Sequence, residues 1–285
     1  MTGLALSLRR GAGRVLRSAA ALFAERRCYA CSAVFAPTTT LDAAQHAVPP
    51  RILPRILPKE ADPASAFFCR SCLDALPRRE QGLCPHCGEL APWPDLPPAP
   101  CGRCLGKAPP WQGFVCHGAH EGLLRELLIR LKFQEEVPLA HALGALLAGH
   151  PGLGALAPDV VTPVPLHSGR LVRRGYNQAL ELARPLAKAL RLPLEPGLLR
   201  RVRATPPQTG ASRAQRTGGM KGAFAAHGGV RGRRVLLVDD TLTTGATLAA
   251  SAGALLEAGA AGVDVAVMSR TPRCFGGALP RGWGV

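Results

Sequence analysis

Acidic residues are scarce in this chain of 285 residues: 19 Asp and Glu face 35 Lys and Arg, a formal net charge of +16. Aromatic residues are scarcer, at 5%. A groove that stacks base after base on aromatic rings is therefore poorly supported, although a basic surface would still attract phosphates. Nowhere does an apolar run reach the roughly 18 residues of a membrane-crossing helix without meeting a charge or a proline. Glycine does not recur at every third position, which excludes a collagen. Disorder throughout is excluded as well, because 47% of the residues are hydrophobic. The length suits about two domains. With 32 Gly and 27 Pro, long loops are expected.

Cysteine is present in pairs. Eight of the ten fall into four C-x-x-C motifs: Cys28/Cys31, Cys69/Cys72, Cys84/Cys87 and Cys101/Cys104. Cys116 and Cys274 are left over. A C-x-x-C turn suits a metal knuckle better than a structural disulfide, and two knuckles supply the four thiolates of a tetrahedral Zn²⁺ site. The simplest pairing is sequential, with Cys28, Cys31, Cys69 and Cys72 on one metal and Cys84, Cys87, Cys101 and Cys104 on the other. A cross-brace joining 28/31 to 84/87 is the alternative pairing. Redox dithiols are the competing use of the motif. Sites closed by four sulfurs are structural: they fold a segment too short of apolar residues to fold by itself. His86, inside its knuckle, is expected to be a bystander. Reduced thiols suit a cytoplasmic location. Eight thiolates on two Zn²⁺ would lower the net charge to about +12.

The texture of the chain divides it into a basic N-terminal segment (1–27), a cysteine- and proline-rich part (28–110), an α/β part (114–271) and a tail (272–285). In the first segment Leu4, Leu8, Val15, Ala19, Leu22 and Phe23 fall on one helical face. That pattern fits a short amphipathic helix leading into the first knuckle, or a transit peptide. The stretch 32–68, with its small tandem RILPRILPK (51–59), reads as an inserted loop.

In the α/β part, helices are expected over 122–133, 139–150, 177–191 (with Pro185 inside) and 246–259. Strands are expected over 159–167, 232–240 and 261–270. Strands alternating with helices indicate a parallel α/β sheet.

The most informative stretch is VLLVDDTLTTGAT (235–247). Its apolar run suits a central strand that delivers Asp239 and Asp240 to the carboxyl end, where open α/β sheets bind ligands. Thr243, Thr244, Gly245, Ala246 and Thr247 then lead into a helix. Small residues let several backbone N–H groups converge on a phosphate, and the helix N-terminus adds positive potential. Two carboxylates beside such a cradle suit vicinal sugar hydroxyls, and they can meet Mg²⁺ through water. The chemistry implied is the binding of a sugar phosphate. The rival reading is a strand ending in solvated acids before a capped helix.

The same stretch resembles the 5-phosphoribosyl 1-pyrophosphate signature of type I phosphoribosyltransferases. The resemblance implies that Asp239 and Asp240 contact the ribose hydroxyls and that Thr243 to Thr247 hold the 5′-phosphate. Thr241 stands where that pattern often has a branched apolar residue. PVPLHSGRLVRRGYNQA (163–179), TPPQTGASRAQR (205–216) and KGAF (221–224) are similar to segments of the ComF/GntX family, which joins a double zinc ribbon to this transferase domain. The resemblance spans about 28–271. It implies that the loop of Arg170, Arg173 and Arg174 meets the pyrophosphate, that a flexible segment with Arg213, Arg216 and Lys221 closes over it, and that a hood over 114–150 plus the ribbon builds the acceptor side. The expected fold is thus a parallel-sheet type I phosphoribosyltransferase fold with an N-terminal double zinc ribbon. The expected ligands are two structural zinc ions and phosphoribosyl pyrophosphate with Mg²⁺. Two functions fit the resemblance: a phosphoribosyltransferase, or a non-catalytic sensor of that ligand that binds single-stranded DNA or a helicase partner in DNA uptake.

Overall fold

The computed structural model describes residues 26–35, 63–91, 93–134, 136–203, 220 and 222–272. The N-terminal helix expected before Arg26 lies outside them. So do most of the inserted loop, the segment carrying Arg213, Arg216 and Lys221, Cys274 and nearly all of the tail.

Strands β1 (Arg26–Arg27) and β2 (Val34–Phe35) pair antiparallel around the first knuckle. Short helices α1 (Arg70–Asp74) and α2 (Gly102–Gly106) follow, each with a cysteine at its N-cap, Cys69 and Cys101. Next come β3 (Gly113–Ala119), α3 (Gly122–Phe133), α4 (Val137–Ala148) and β4 (Val160–Pro163). Helices α5 (Ser168–Arg174) and α6 (Gln178–Leu190) lead to the small antiparallel pair β5 (Leu199–Arg201) and β6 (Phe224–Ala226). The chain closes with β7 (Arg234–Leu242), α7 (Ala246–Glu257) and β8 (Gly262–Arg270).

The main sheet has the order β3-β8-β7-β4, with every pairing parallel. Its central strand is buried on both faces, as its unbroken apolar run requires. Leu236 and Val238 enter one core cluster with Leu139, Leu143, Leu182 and Leu186 of α4 and α6. Val235 and Leu237 enter the other with Leu248, Ala252 and Leu255 of α7. Helix α4 starts two residues earlier than its apolar pattern indicates, because Pro138 is suited to a first turn that needs no N–H. Helices α4 and α6 meet at Gly144: a Cβ there would lie 2.4 Å from Pro185 Cγ and 2.5 Å from the Leu182 carbonyl oxygen. Pro185 is thus accommodated inside α6.

Three expectations are corrected. Residues 114–119, the start of the stretch assigned to the hood, belong to the edge strand β3 of the main sheet. The arginine loop after β4 is the helix α5, whose N-cap His167 accepts from Gly169 N–H at 3.2 Å. The strand expected to end at Asp240 runs on to Leu242, because Thr241 and Leu242 still pair with Ser269 and Arg270 of β8. On the other side of β7, the register with β4 stops at Val238. The two acids therefore lie where β7 has lost one neighbour, and this opening becomes the pocket.

Candidate functional site

The eight cysteines gather into two groups, Cys28, Cys31, Cys69, Cys72 and Cys84, Cys87, Cys101, Cys104, as sequential pairing requires. In both groups the ligand atoms lie within 4.8 Å of one another. The Cys31–Cys69 and Cys87–Cys101 sulfur separations are each 3.7 Å. Four sulfurs about 2.3 Å from a tetrahedral zinc would stand about 3.8 Å apart, so both groups fit that ion. The plan is also shared: Cys69 N–H donates to Cys28 Sγ and Cys101 N–H to Cys84 Sγ, both at 3.4 Å. The first group sits against the main core through Phe68, Leu76 and Ala64. Cys116 lies apart on β3, where burial pushes its thiol up to about 12 and keeps it unreactive.

The pocket encloses about 250 Å³. Asp239, Asp240, Thr241, Thr243 and Thr247 line it, with Lys132, Arg170, Arg174 and Arg201 as cations and Asn177 and Gln178 beside them. Of the residues expected to bind the ligand, Arg174 lines the pocket, while Arg173 is exposed and does not. Thr244, Gly245 and Ala246 form the turn behind Thr243 and Thr247. Gly245 has φ +86°, a left-handed conformation that glycine adopts without strain. Thr244 Oγ1 accepts from Ala246 N–H at 3.3 Å, which tightens the turn onto α7. Arg213 lies outside the described residues.

The two acids differ electrostatically. Burial, and then the charge of Asp240, push the Asp239 carboxyl up to about 8. Its Oδ1 accepts from Asp240 N–H at 2.9 Å. Asp240 is paired instead with Lys132, whose Nζ is 3.3 Å away. The same Nζ donates to Thr241 Oγ1 at 2.9 Å. Thr241 Oγ1 lies 3.3 Å from Ser269 Oγ, which is 2.9 Å from His120 Nδ1. Burial, followed by the charge of Lys132, holds His120 down at about 4, so this network is neutral at its far end at pH 7.

At the rim, Arg174 donates to Gln178 Oε1 at 3.1 Å and lies over the Phe133 ring, 5.7 Å from its centre. Arg201 lies over Phe224 at 5.5 Å. Burial pulls both guanidiniums below their usual value. Asn177 caps α6 by accepting from Ala179 N–H, and its amide donates to the Val164 carbonyl at 3.1 Å. Sequence reading missed Lys132, Arg201, Asn177 and Gln178. Lys132 carried a weak signal as a lysine closing an otherwise leucine-rich helix; Arg201 carried none.

The family described as a phosphoribosyl transferase domain matches residues 177–274. Among known proteins, DNA utilization protein YhgH of Salmonella typhimurium is 40% identical over 209 residues, covering 72% of this chain and 90% of that one. Competence protein F of Haemophilus influenzae is 33% identical, covering 64% and 87%. Competence protein ComFC of Bacillus subtilis is 27% identical, covering 68% and 79%. The solved structure of glutamine phosphoribosylpyrophosphate amidotransferase from B. subtilis aligns with 47% of this chain and 26% of its own, at 31% identity and a TM-score of 0.33.

Proposed function

The chain belongs to the ComF/GntX family of DNA utilization and competence proteins, which carry a phosphoribosyl transferase domain, and from that premise we propose that its pocket binds 5-phosphoribosyl 1-pyrophosphate with Mg²⁺. One observation carries the reading: Asp239 and Asp240 open onto the same cavity as the Thr243–Thr247 turn and several cations. Each part of the ligand then has chemistry to meet it. The carboxylates accept hydrogen bonds from the two ribose hydroxyls. The turn, with the N-terminus of α7 behind it, takes the 5′-phosphate. Arg170 and Arg174 line the cavity on the side proposed for the pyrophosphate, with Arg173 on the same helix, and guanidinium forks suit such an anion; the family resemblance adds Arg213, which lies outside the described residues. Mg²⁺ bound to the pyrophosphate supplies further charge neutralisation.

In a transferase reaction the bond from C1 to the pyrophosphate oxygen breaks, its electron pair leaves with pyrophosphate, and an acceptor nucleophile bonds to C1. The protein's contribution is positioning and stabilisation of the departing charge. Two structural zinc ions fit the cysteine groups, and their reduced thiols favour a cytoplasmic setting. Among the described residues no helix is long and apolar enough to cross a membrane.

A second reading is favoured by the names of the relatives and by the net charge of +16. Here the pocket senses the ligand without turning it over, while the ribbon and the N-terminal arginines bind single-stranded DNA or a helicase. Calorimetry with phosphoribosyl pyrophosphate and Mg²⁺ tests what the two readings share. Binding is expected for the parent and lost in the double variant Asp239→Asn, Asp240→Asn; undiminished binding by the double variant overturns both. Pyrophosphate release upon titration of acceptor bases, together with no DNA binding even at low salt, decides for the enzyme.

A further inference from the structure

Two arginines reach the phosphate turn from behind the pocket, and both are tied to the second cysteine group. Arg270 closes β8 and is 1% exposed. Its Nη1 donates to the carbonyls of Leu242, at 2.9 Å, and Thr243. Its Nη2 donates to Glu89 Oε2 at 2.6 Å. Glu89 is 5% exposed and lies two residues past Cys87. Arg103, inside the knuckle Cys101–Cys104, donates to the Thr244 carbonyl at 3.4 Å. Guanidinium groups thus grip three consecutive carbonyls, those of Leu242, Thr243 and Thr244.

In a planar trans peptide the carbonyl of one residue and the N–H of the next point in opposite directions. Holding those carbonyls away from the pocket aims the N–H groups of Thr243, Thr244 and Gly245 the other way. Among the described residues, none of these three N–H groups bonds to another backbone carbonyl. The knuckle itself is seated firmly. Trp111 Nε1 donates to the His86 carbonyl at 2.7 Å. A Cβ on Gly88 would lie 2.8 Å from the Phe114 ring, so that turn lies directly on β3.

We propose that the second cysteine group holds the Thr243–Gly245 turn in its anion-binding form, with Arg270 as the positioning residue, Glu89 as its anchor and Arg103 as a second grip. The ribbon is then a working part of the phosphate site. The inference rests on reading that turn as the cradle of the 5′-phosphate. Glu89 and Arg270 are buried together, so neutralising Glu89 leaves the arginine without its counter-charge and free to release the carbonyls.

The test titrates the full-length protein, Glu89→Gln and Arg103→Ala with ribose 5-phosphate and, separately, with inorganic pyrophosphate. Zinc content and melting temperature are measured on each. The expected result is a Kd for ribose 5-phosphate raised about tenfold or more in Glu89→Gln and severalfold in Arg103→Ala. Pyrophosphate affinity and the zinc content of both variants stay at the parent's level. A purely structural role would weaken both ligands together, and that result overturns the proposal. So does unchanged affinity for ribose 5-phosphate in both variants, which leaves the phosphoribosyl reading standing. Failure of the parent to bind either ligand overturns that reading and this proposal with it. Should Glu89→Gln not fold, Arg103→Ala, at an exposed residue, decides alone.

Discussion

Lys132 Nζ lies 3.3 Å from Asp240 Oδ2 and donates to the hydroxyl of Thr241, so a lysine from α3 ties together two consecutive residues of β7. The pair sets the charge of the pocket floor. Asp240 has a partner in Lys132, while burial and the adjacent acid push the Asp239 carboxyl up to about 8.

Replacing that lysine is expected to act through Asp239. In Lys132→Met the carboxyl loses an attractive charge and rises further. The Kd for phosphoribosyl pyrophosphate should increase about tenfold near neutral pH, and the loss should shrink above pH 9, where the acid ionises regardless. Calorimetry across pH checks this; a loss equal at every pH would show that Lys132 acts only as a direct contact.

The raised carboxyl also gives the free protein a pH signature. Asp239 moves from its usual 3.8 to about 8 on folding, so the folded state holds a proton that the unfolded chain has released. Its contribution to stability is full at low pH and is lost as pH rises through about 8. His120 and His150, both lowered to about 4, act in the opposite direction, but only below their unfolded value of 6.5. Between about pH 6.5 and 8 stability should therefore fall, by no more than about 1.4 kcal/mol per pH unit from this group. Ligand affinity should rise over the same interval as the carboxylate forms. Denaturant melts of the parent and Asp239→Asn measure the first trend. The parent's slope should exceed the variant's, and parallel curves would remove Asp239 as its source.

Metal analysis should find two zinc ions per chain, one for each cysteine group. Cys84→Ser should lose one of them. Because Glu89, Trp111 and Arg103 join the second group to the main sheet, the variant should also melt well below the parent and bind ribose 5-phosphate poorly. A ribbon that unfolds without disturbing the sheet would leave the main melting transition unmoved.

Gly144→Ala probes the contact between α4 and α6. The added methyl group meets Pro185 and the Leu182 carbonyl at distances that real Cβ atoms do not occupy, so the helices must separate. A loss of about 1–3 kcal/mol is expected from overpacking. Chemical denaturation checks it, and zinc content should not change. A stabilised variant would show that the helix propensity of alanine outweighs the clash.

Local features were legible because their causes are local. The VLLV run, the two acids and the TTGAT turn follow one another in the chain, and strand and turn preferences act over a few residues. The spacing of each C-x-x-C is fixed by a single knuckle. Sequential grouping of the pairs was the simplest of two arrangements; proximity in the fold decided between them. Asp239 and Asp240 could be picked out as candidates, but the raised carboxyl of Asp239 could not. That shift depends on burial and on the charge of Asp240, opposed by Lys132, whose hydrogen bond to Thr241 spans 109 positions. The hydrogen bond from Arg270 to Glu89 spans 181. Contacts of that reach impose no periodicity on the residues between them, and each arginine looks in the sequence like any other in a basic chain. The order β3-β8-β7-β4, and the end of β4 at Pro163, opposite Val238 of β7, are likewise outcomes of sheet packing. The sequence by itself determined which residues could hold a sugar phosphate and a metal. Tertiary structure decided where one strand stops beside another, and hence where the pocket opens and which distant cations enclose it.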